Sequence, residues 1–120
     1  MLALLRGEAA AGQVRDLVAG GDALMCSINL GEVNYVLMRT HGEAVAREHV
    51  EGVREVLRVE DPDWPLVRAA AQVKAGGGLS YADAFAVATA RRHSAPLATG
   101  DPELLAVPGL VDAVDLRARG

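Results

Sequence analysis

Residues 23–33 read ALMCSINLGEV, a short apolar run followed at once by a helical pattern. Four consecutive apolar residues, Ala23–Cys26, are typical of a strand that is buried on both faces. Ser27 has the side chain of a helix cap, and the apolar spacing over residues 28–40 predicts a helix that stops at Gly42. A buried strand that leads directly into a helix is typical of α/β proteins with a parallel sheet.

The rest of the chain continues this alternation of helical patterns and short apolar runs. Before residue 23, the pattern predicts a helical hairpin or a broken helix from Met1 to Val18. After residue 42, the predicted elements are a helix over 43–57, a short edge strand over 57–60, helices over 64–75 and 80–93, a strand over 96–99, a short helix after Asp101 and a last strand near 110–114. The sequence therefore predicts an α/β domain with a mostly parallel sheet.

Size and composition limit the classes of protein to which the chain can belong. Its 120 residues suit a single domain, and 51% hydrophobic with 23% charged residues argue against disorder and a coiled coil. The net charge of −4 predicts no basic surface, so a polyanionic ligand would need a cation. Cys26 is the single cysteine, which fits a reducing compartment, and no signal or membrane segment is visible. We therefore expect a cytoplasmic protein.

Three acidic residues occupy positions where an α/β fold places ligands. Glu32 lies one helical turn from apolar residues on either side, and Asn29 shares its side of the helix. Asp83 is the only charge in an alanine-rich helix before Arg91. Asp101 follows the carboxyl end of a predicted strand. Each acid is therefore expected at the entry of a helix, at one end of the sheet.

Each acid alone also has an ordinary structural interpretation. Glu32 can reach solvent along its stem or bond a nearby backbone group. Asp83 and Ser80 have the spacing of a helix capping box, with Asp in place of the usual Glu or Gln. Asp101 precedes Pro102, the usual arrangement of a helix N-cap. For each residue taken alone, both interpretations stay open.

The three acids taken together favour a metal site. Carboxylates that converge repel one another unless a cation neutralises them. An oxygen-rich site without cysteine selects Mg²⁺ or Mn²⁺. Such an ion would let an acidic protein bind a phosphodiester and activate water against it.

The same stretches resemble the PIN domain family and, within it, the VapC-type toxins of bacterial toxin–antitoxin pairs. The matching segments, in the order of the family's motifs, are residues 27–33 (SINLGEV), 78–85 (GLSYADAF) and 97–103 (LATGDPE). The resemblance covers essentially the whole chain and implies one PIN-like domain over residues 1–120, folded as a three-layer α/β/α sandwich. It also implies an endoribonuclease dependent on Mg²⁺ or Mn²⁺, with RNA as substrate and with a cognate antitoxin and a second copy of the chain as partners.

The resemblance also assigns roles to individual residues. By motif, Glu32, Asp83 and Asp101 would be the catalytic carboxylates that hold the metal, with Thr99 as a supporting hydroxyl. Asn29 is a further supporting candidate because it shares a side of the helix with Glu32. The RNA-binding residues stay unassigned. Residues 91 and 92 are a pair of arginines that could contact RNA phosphates, although the helix dipole alone favours basic residues at a helix C-terminus.

The start of the chain departs from the family pattern. Family members begin with a strand that carries an Asp, followed by an apolar run like residues 1–8 (MLALLRGE). The first strand and its acid are therefore expected to be missing. We expect a gene model truncated at its start, because loss of a central strand would leave two unpaired edges inside the sheet. The alternatives are a catalytically degenerate PIN domain that keeps an antitoxin- or RNA-binding surface, and a receiver-like binding module with a similar acid pattern.

Overall fold

The computed structural model describes residues 2–4, 23–95, 97–99 and 114–115. The strands in these ranges are β1 (Leu2–Leu4), β2 (Ala23–Cys26), β3 (Arg58–Glu60), β4 (Leu97–Thr99) and β5 (Val114–Asp115). The helices are α1 (Ser27–His41), α2 (Glu43–Val56), α3 (Trp64–Ala75) and α4 (Tyr81–Arg92). Two helices separate β2 from β3, and two more separate β3 from β4, and all four match helices that the apolar periodicity predicts.

The strands form one parallel sheet in the order β3-β2-β1-β4-β5. Leu24 of β2 pairs with Ala3 on one side and with Arg58 on the other, and Ala3 pairs in turn with Leu97. Because the paired strands are parallel, their carboxyl ends lie at the same edge of the sheet. The predicted α/β class is confirmed, and β3 is the edge strand expected from the sequence.

The first strand is present, and this corrects the expectation that it is missing. Leu2–Leu4 form β1 in the centre of the sheet, between β2 and β4, where a helical hairpin or broken helix was predicted. Periodicity cannot separate a strand from a helix in so short an apolar run. A parallel sheet needs a central strand to satisfy the backbone groups of both neighbours, so the run pairs as a strand. No residue of β1 is acidic.

The helix boundaries follow the sequence punctuation closely, with one correction. Helix α3 spans Trp64–Ala75 as predicted, and Asp63 caps it by accepting a hydrogen bond from the backbone N–H of Leu66 at 3.0 Å. Ser27, however, is the first helical residue of α1 and not its cap, because β2 leads into the helix without a loop and Cys26 takes the extended cap position. The helix expected after Asp101 and the helical pattern expected up to Val18 lie outside the described residues.

The core is built around α4. Eight consecutive residues of this helix, from Asp83 to Ala90, are buried, which is typical of a helix covered on all sides. Alanine supplies half of them, and its small side chain allows α3 and the sheet to pack closely against the helix. The apolar cluster at this contact consists of Cys26, Leu66, Ala70, Ala84, Phe85 and Ala88. The burial of α4 therefore fixes the position of the acid that it carries.

No helix among the described residues combines the length and the apolar character that crossing a membrane requires.

Candidate metal centre

The first turns of α1 carry two of the residues singled out by sequence. Asn29 is fully buried at 0% exposure, and its Nδ2 donates a hydrogen bond to the backbone oxygen of Ala82 at 2.8 Å. Glu32 follows one turn later and is half-buried. Residues three apart on a helix share a face, so Glu32 lies on the side of α1 that carries Asn29. Both residues lie close to the carboxyl end of β2, which leads directly into α1.

Asp83 lies in the first turn of α4, and its side chain is inside the protein. Its backbone N–H donates to Ser80 Oγ at 3.1 Å, so Ser80 caps the helix as the capping interpretation predicts. Capping and the helix dipole both favour an acid here, but an exposed one would suffice. At 3% exposure, the side chain of Asp83 is buried to a degree that carboxylates rarely reach. Helix capping alone does not account for that burial.

The Asn29–Ala82 hydrogen bond joins the two acidic turns. It connects residues 53 positions apart and holds the first turn of α1 against the first turn of α4. Since Ala82 directly precedes Asp83, and Glu32 lies one turn beyond Asn29, the structure brings these two acids to adjoining helix turns. No sequence signal predicts this bond, because the acceptor is a backbone carbonyl of a distant element.

Of the other two predicted site residues, the structure describes Thr99 but not Asp101. Thr99 is the last residue of β4, at the same edge of the parallel sheet as Cys26, the last residue of β2. Asp101 lies outside the described residues, so the predicted convergence of three acids stays a prediction. Within the described ranges, no group of three or more His, Cys, Asp or Glu side chains is arranged to hold a metal ion.

Cys26 lies beneath this edge as a neutral thiol. It is almost fully buried in the apolar cluster against α4. Burial raises the pKa of the thiol above 9.0, and hydrogen bonding to the backbone of Ile28 and to the Thr89 side chain opposes the shift only in part. Cys26 therefore packs as an apolar residue and adds no negative charge to the acids nearby.

A second group of charged residues lies at the other end of α4. Arg92 pairs with Asp63 at 2.7 Å and with Glu60 at 3.4 Å, and Glu60 also contacts His93. These contacts tie the end of α4 to β3 and to the cap of α3. Arg92 is thus used in ion pairs within the fold, which favours the structural interpretation of this arginine over a contact with RNA phosphate.

The Asp63–Arg92 pair predicts a defined pH dependence of stability. The hydrogen bond from Arg92, followed by that from the Leu66 N–H, lowers the pKa of Asp63 from 3.8 to about 2. A depressed carboxyl pKa stabilises the fold above the unfolded value of about 4, and this contribution is lost as the pH falls towards 2. Asp63→Asn keeps the helix cap but removes the charge. The difference in melting temperature between parent and variant is therefore expected to shrink from about pH 6 to about pH 2.

The control for this measurement is Glu43→Gln. Glu43 pairs with Arg47 on the exposed face of α2 at 3.0 Å, and exposed pairs within one helix contribute little to stability. Its melting temperature should follow that of the parent at every pH. A difference between Asp63→Asn and the parent that stays constant over this range would contradict the prediction.

The fold is similar to those of solved bacterial toxins. DNA-bound VapBC from Salmonella typhimurium has 19% identity and a TM-score of 0.78, and the match covers 96% of this chain and 97% of that one. VapC20 from Mycobacterium tuberculosis, a sarcin–ricin loop cleaving toxin, has 22% identity and a TM-score of 0.71 over 94% of this chain and 98% of that one. VapBC2 from Rickettsia felis, bound to a promoter fragment, has 15% identity and a TM-score of 0.70 over 96% of this chain and 100% of that one.

At sequence identities of 15–22%, these three matches show a similar fold and no more. No curated protein matches the chain in sequence. The PIN domain family model matches residues 1–110, which is most of the chain. The segments that carry Glu32, Asp83 and Asp101 all lie inside this match. The parallel sheet, the acidic helix turns and the family match agree, and the chain belongs to the PIN domain family.

Proposed function

We propose that the chain is a metal-dependent endoribonuclease that acts in the cytoplasm as the toxin of a type II toxin–antitoxin pair. The observation that carries the proposal is the burial of Asp83 beside the turn of α1 that bears Glu32. Family membership and the likeness in fold to VapC20, a sarcin–ricin loop cleaving toxin, support the same activity.

The side chains at this site fit a hard divalent cation. Carboxylate and amide oxygens are the ligands that Mg²⁺ and Mn²⁺ prefer, and the thiol at the site stays protonated. Glu32, Asp83 and Asp101 would hold the ion, with the hydroxyl of Thr99 and the amide of Asn29 in support. A bound ion would offset the negative charge of the RNA phosphate and activate a water for hydrolysis of the phosphodiester.

The protein's own residues prepare this site before any ion binds. Burial of Asp83 keeps its carboxylate away from bulk water, where its attraction to a cation is stronger than at an exposed position. The hydrogen bond from Asn29 to Ala82 holds the two acidic turns at a fixed separation. Ligands that are already in place avoid the entropic cost of ordering them when the ion binds.

The proposed partners are a cognate antitoxin and a second copy of this chain. Salmonella typhimurium VapBC and Rickettsia felis VapBC2, which share the fold, are structures of toxin and antitoxin together. A groove of about 510 Å³ between α3 and α4 supports the second copy, because Pro65, Ala69 and Val73 give it apolar surface beside the polar Gln72 and Arg91. Trp64 lies next in sequence to a residue of the groove wall and is 71% exposed. Exposed apolar surface of this kind marks association sites.

The test of the function is RNA cleavage by the purified chain. Mg²⁺ or Mn²⁺ is expected to support cleavage, EDTA to stop it, and excess divalent ion to restore it. Glu32→Gln should reduce the rate by about 100-fold or more, because loss of a ligand costs at least as much as loss of a group that orients one. Glu48→Gln, on the exposed face of α2, is the matched control and should cleave like the parent.

One observation favours the alternative of a degenerate PIN domain. The central strand β1 carries no acid, whereas the family pattern places an Asp in its first strand. A degenerate domain would bind RNA or an antitoxin without cleaving RNA. RNA binding with no cleavage at any Mn²⁺ concentration would therefore support the alternative and reject the enzyme.

A further inference from the structure

The two polar atoms of the Asn29 side-chain amide, Nδ2 and Oδ1, differ in their hydrogen bonding. One end donates to the backbone oxygen of Ala82 at 2.8 Å. A carbonyl oxygen can only accept, so this bond identifies the donating atom as Nδ2 and fixes the orientation of the amide. The other end, Oδ1, is buried and accepts no hydrogen bond from any part of the chain that the structure describes.

A buried Oδ1 without a hydrogen bond is unfavourable for the stability of the fold. A buried acceptor without a donor loses its hydrogen bonds to water and gains none from the protein, which destabilises the fold. An apolar side chain of similar size, such as leucine, would fill the same space without that cost. An asparagine here is therefore explained only if both ends of its amide are used.

The surroundings of Asn29 indicate which donor is missing. Glu32 lies one turn away on the same side of α1, and Asp83 adjoins the carbonyl that Nδ2 contacts. A cation between two carboxylates keeps bound water, and such water donates its hydrogens outward. Oδ1 is an unsatisfied acceptor on the residue one helical turn before Glu32, and it can accept a hydrogen bond from such a water.

We propose that Asn29 is a positioning residue that acts through both ends of its amide, with Nδ2 setting the separation of the two acidic turns and Oδ1 accepting a hydrogen bond from water bound to the cation. The proposal rests on the metal-dependent function proposed above. It assigns to this chain's own Asn29 a role that no acid can take, since a carboxylate has no hydrogen to donate to Ala82.

The first test compares Asn29→Leu with Thr89→Val. Thr89 is a buried polar residue of α4 whose hydroxyl donates to the backbone oxygen of Phe85 at 2.7 Å, so each substitution removes one buried bond to a backbone oxygen. Each variant loses one such bond in metal-free buffer, but Asn29→Leu also removes the unsatisfied Oδ1, so it should lower the melting temperature no more than Thr89→Val does. Only Asn29→Leu should weaken Mn²⁺ binding, by about 10- to 100-fold, because groups that orient metal ligands and bound water have effects of that size.

The second test uses Asn29→Asp, which keeps the volume and Oδ1 but replaces the donor with a charged oxygen. In metal-free buffer this variant should melt below the parent, because a third carboxylate faces the carbonyl of Ala82. Saturating Mn²⁺ should raise its melting temperature by more than it raises that of the parent. The Mn²⁺-dependent melting temperature of Asn29→Asp therefore tests the role of Asn29 even if Asn29→Leu does not fold.

The outcomes separate the proposal from the function on which it rests. Mn²⁺ binding is measured by calorimetry on the parent and on each variant, without any RNA. A parent that binds no Mn²⁺ would reject both the metal-dependent function and the role of Asn29. A parent that binds Mn²⁺, with Asn29→Leu within about threefold of it and Asn29→Asp gaining no additional stability from the ion, would reject the role of Asn29 alone.

Discussion

Asp83→Asn is expected to abolish RNA cleavage that depends on a divalent ion, while the protein stays folded. Asparagine keeps the size of the side chain, and Ser80 still caps the helix, but the charge that attracts the cation is lost. The affinity for Mn²⁺ and the cleavage rate should both fall by about 100-fold or more, since Asp83 is proposed as a ligand and not only as a residue that orients one. Calorimetry and a cleavage assay on the same preparation measure the two effects.

Ser80→Ala is the matched control, because it changes the same helix turn but removes the cap and keeps the charge, whereas Asp83→Asn keeps the cap and removes the charge. It removes the hydroxyl that accepts from the Asp83 N–H and leaves the carboxylate in place, at a cost of about 1 kcal/mol in stability. Ser80→Ala should therefore melt earlier and bind Mn²⁺ like the parent. If the two variants differ only in stability and bind Mn²⁺ equally well, Asp83 is a capping residue and the metal site is wrong.

Phe85→Ala is expected to have the largest effect on stability. Phe85 is 4% exposed in the cluster between α3, α4 and β2, and its ring lies 5.0 Å from that of Tyr81. Truncation of a buried phenylalanine costs about 3–5 kcal/mol, a large share of the roughly 5–15 kcal/mol that stabilises a domain. A fall of more than about 10 °C in melting temperature is expected for a chain of this size.

Tyr35→Ala provides the comparison for the loss of an aromatic side chain. Tyr35 lies on α1 with half of its surface exposed, and substitutions at such positions usually change stability by less than about 0.5 kcal/mol. Thermal denaturation followed by circular dichroism measures both variants. A similar small shift for both would contradict the central role of the α4 cluster.

The sequence predicts best those elements whose ends carry strong local signals. Helix α3 is correct at both ends because Asp63 caps it and glycine follows it, and both signals act within one turn. The central strand β1 carries no such local signal, and its sequence alone predicts a helix. Its three residues form a strand because they pair with β2 and β4. The sequence of so short a run does not show which elements lie beside it in the fold, so the strand cannot be predicted from it.

In the candidate site, too, local features can be predicted from the sequence, whereas features that depend on packing cannot. The position of Asp83 in the first turn of a helix follows from Ser80 and the alanine-rich pattern, so it could be predicted. Its burial depends on the packing of α4 against other elements and could not. The helix face that Asn29 shares with Glu32 predicts a supporting role for Asn29. Its bond to Ala82 joins parts of the chain that only the complete fold brings together.

The central position of β1 has a consequence for the rate of folding. Ala3 pairs with Leu97, so this ladder joins residues separated by most of the chain. Pairing over such a distance gives the topology a high contact order, and the entropy of closing a long loop is lost before the contacts form. Helices α1 to α4 lie between the two strands in sequence, and they can begin to form during synthesis before β4 exists. The central ladder, in contrast, is complete only after Ala98 has left the ribosome, so the carboxyl edge of the sheet, from which α1 begins, becomes rigid late in synthesis.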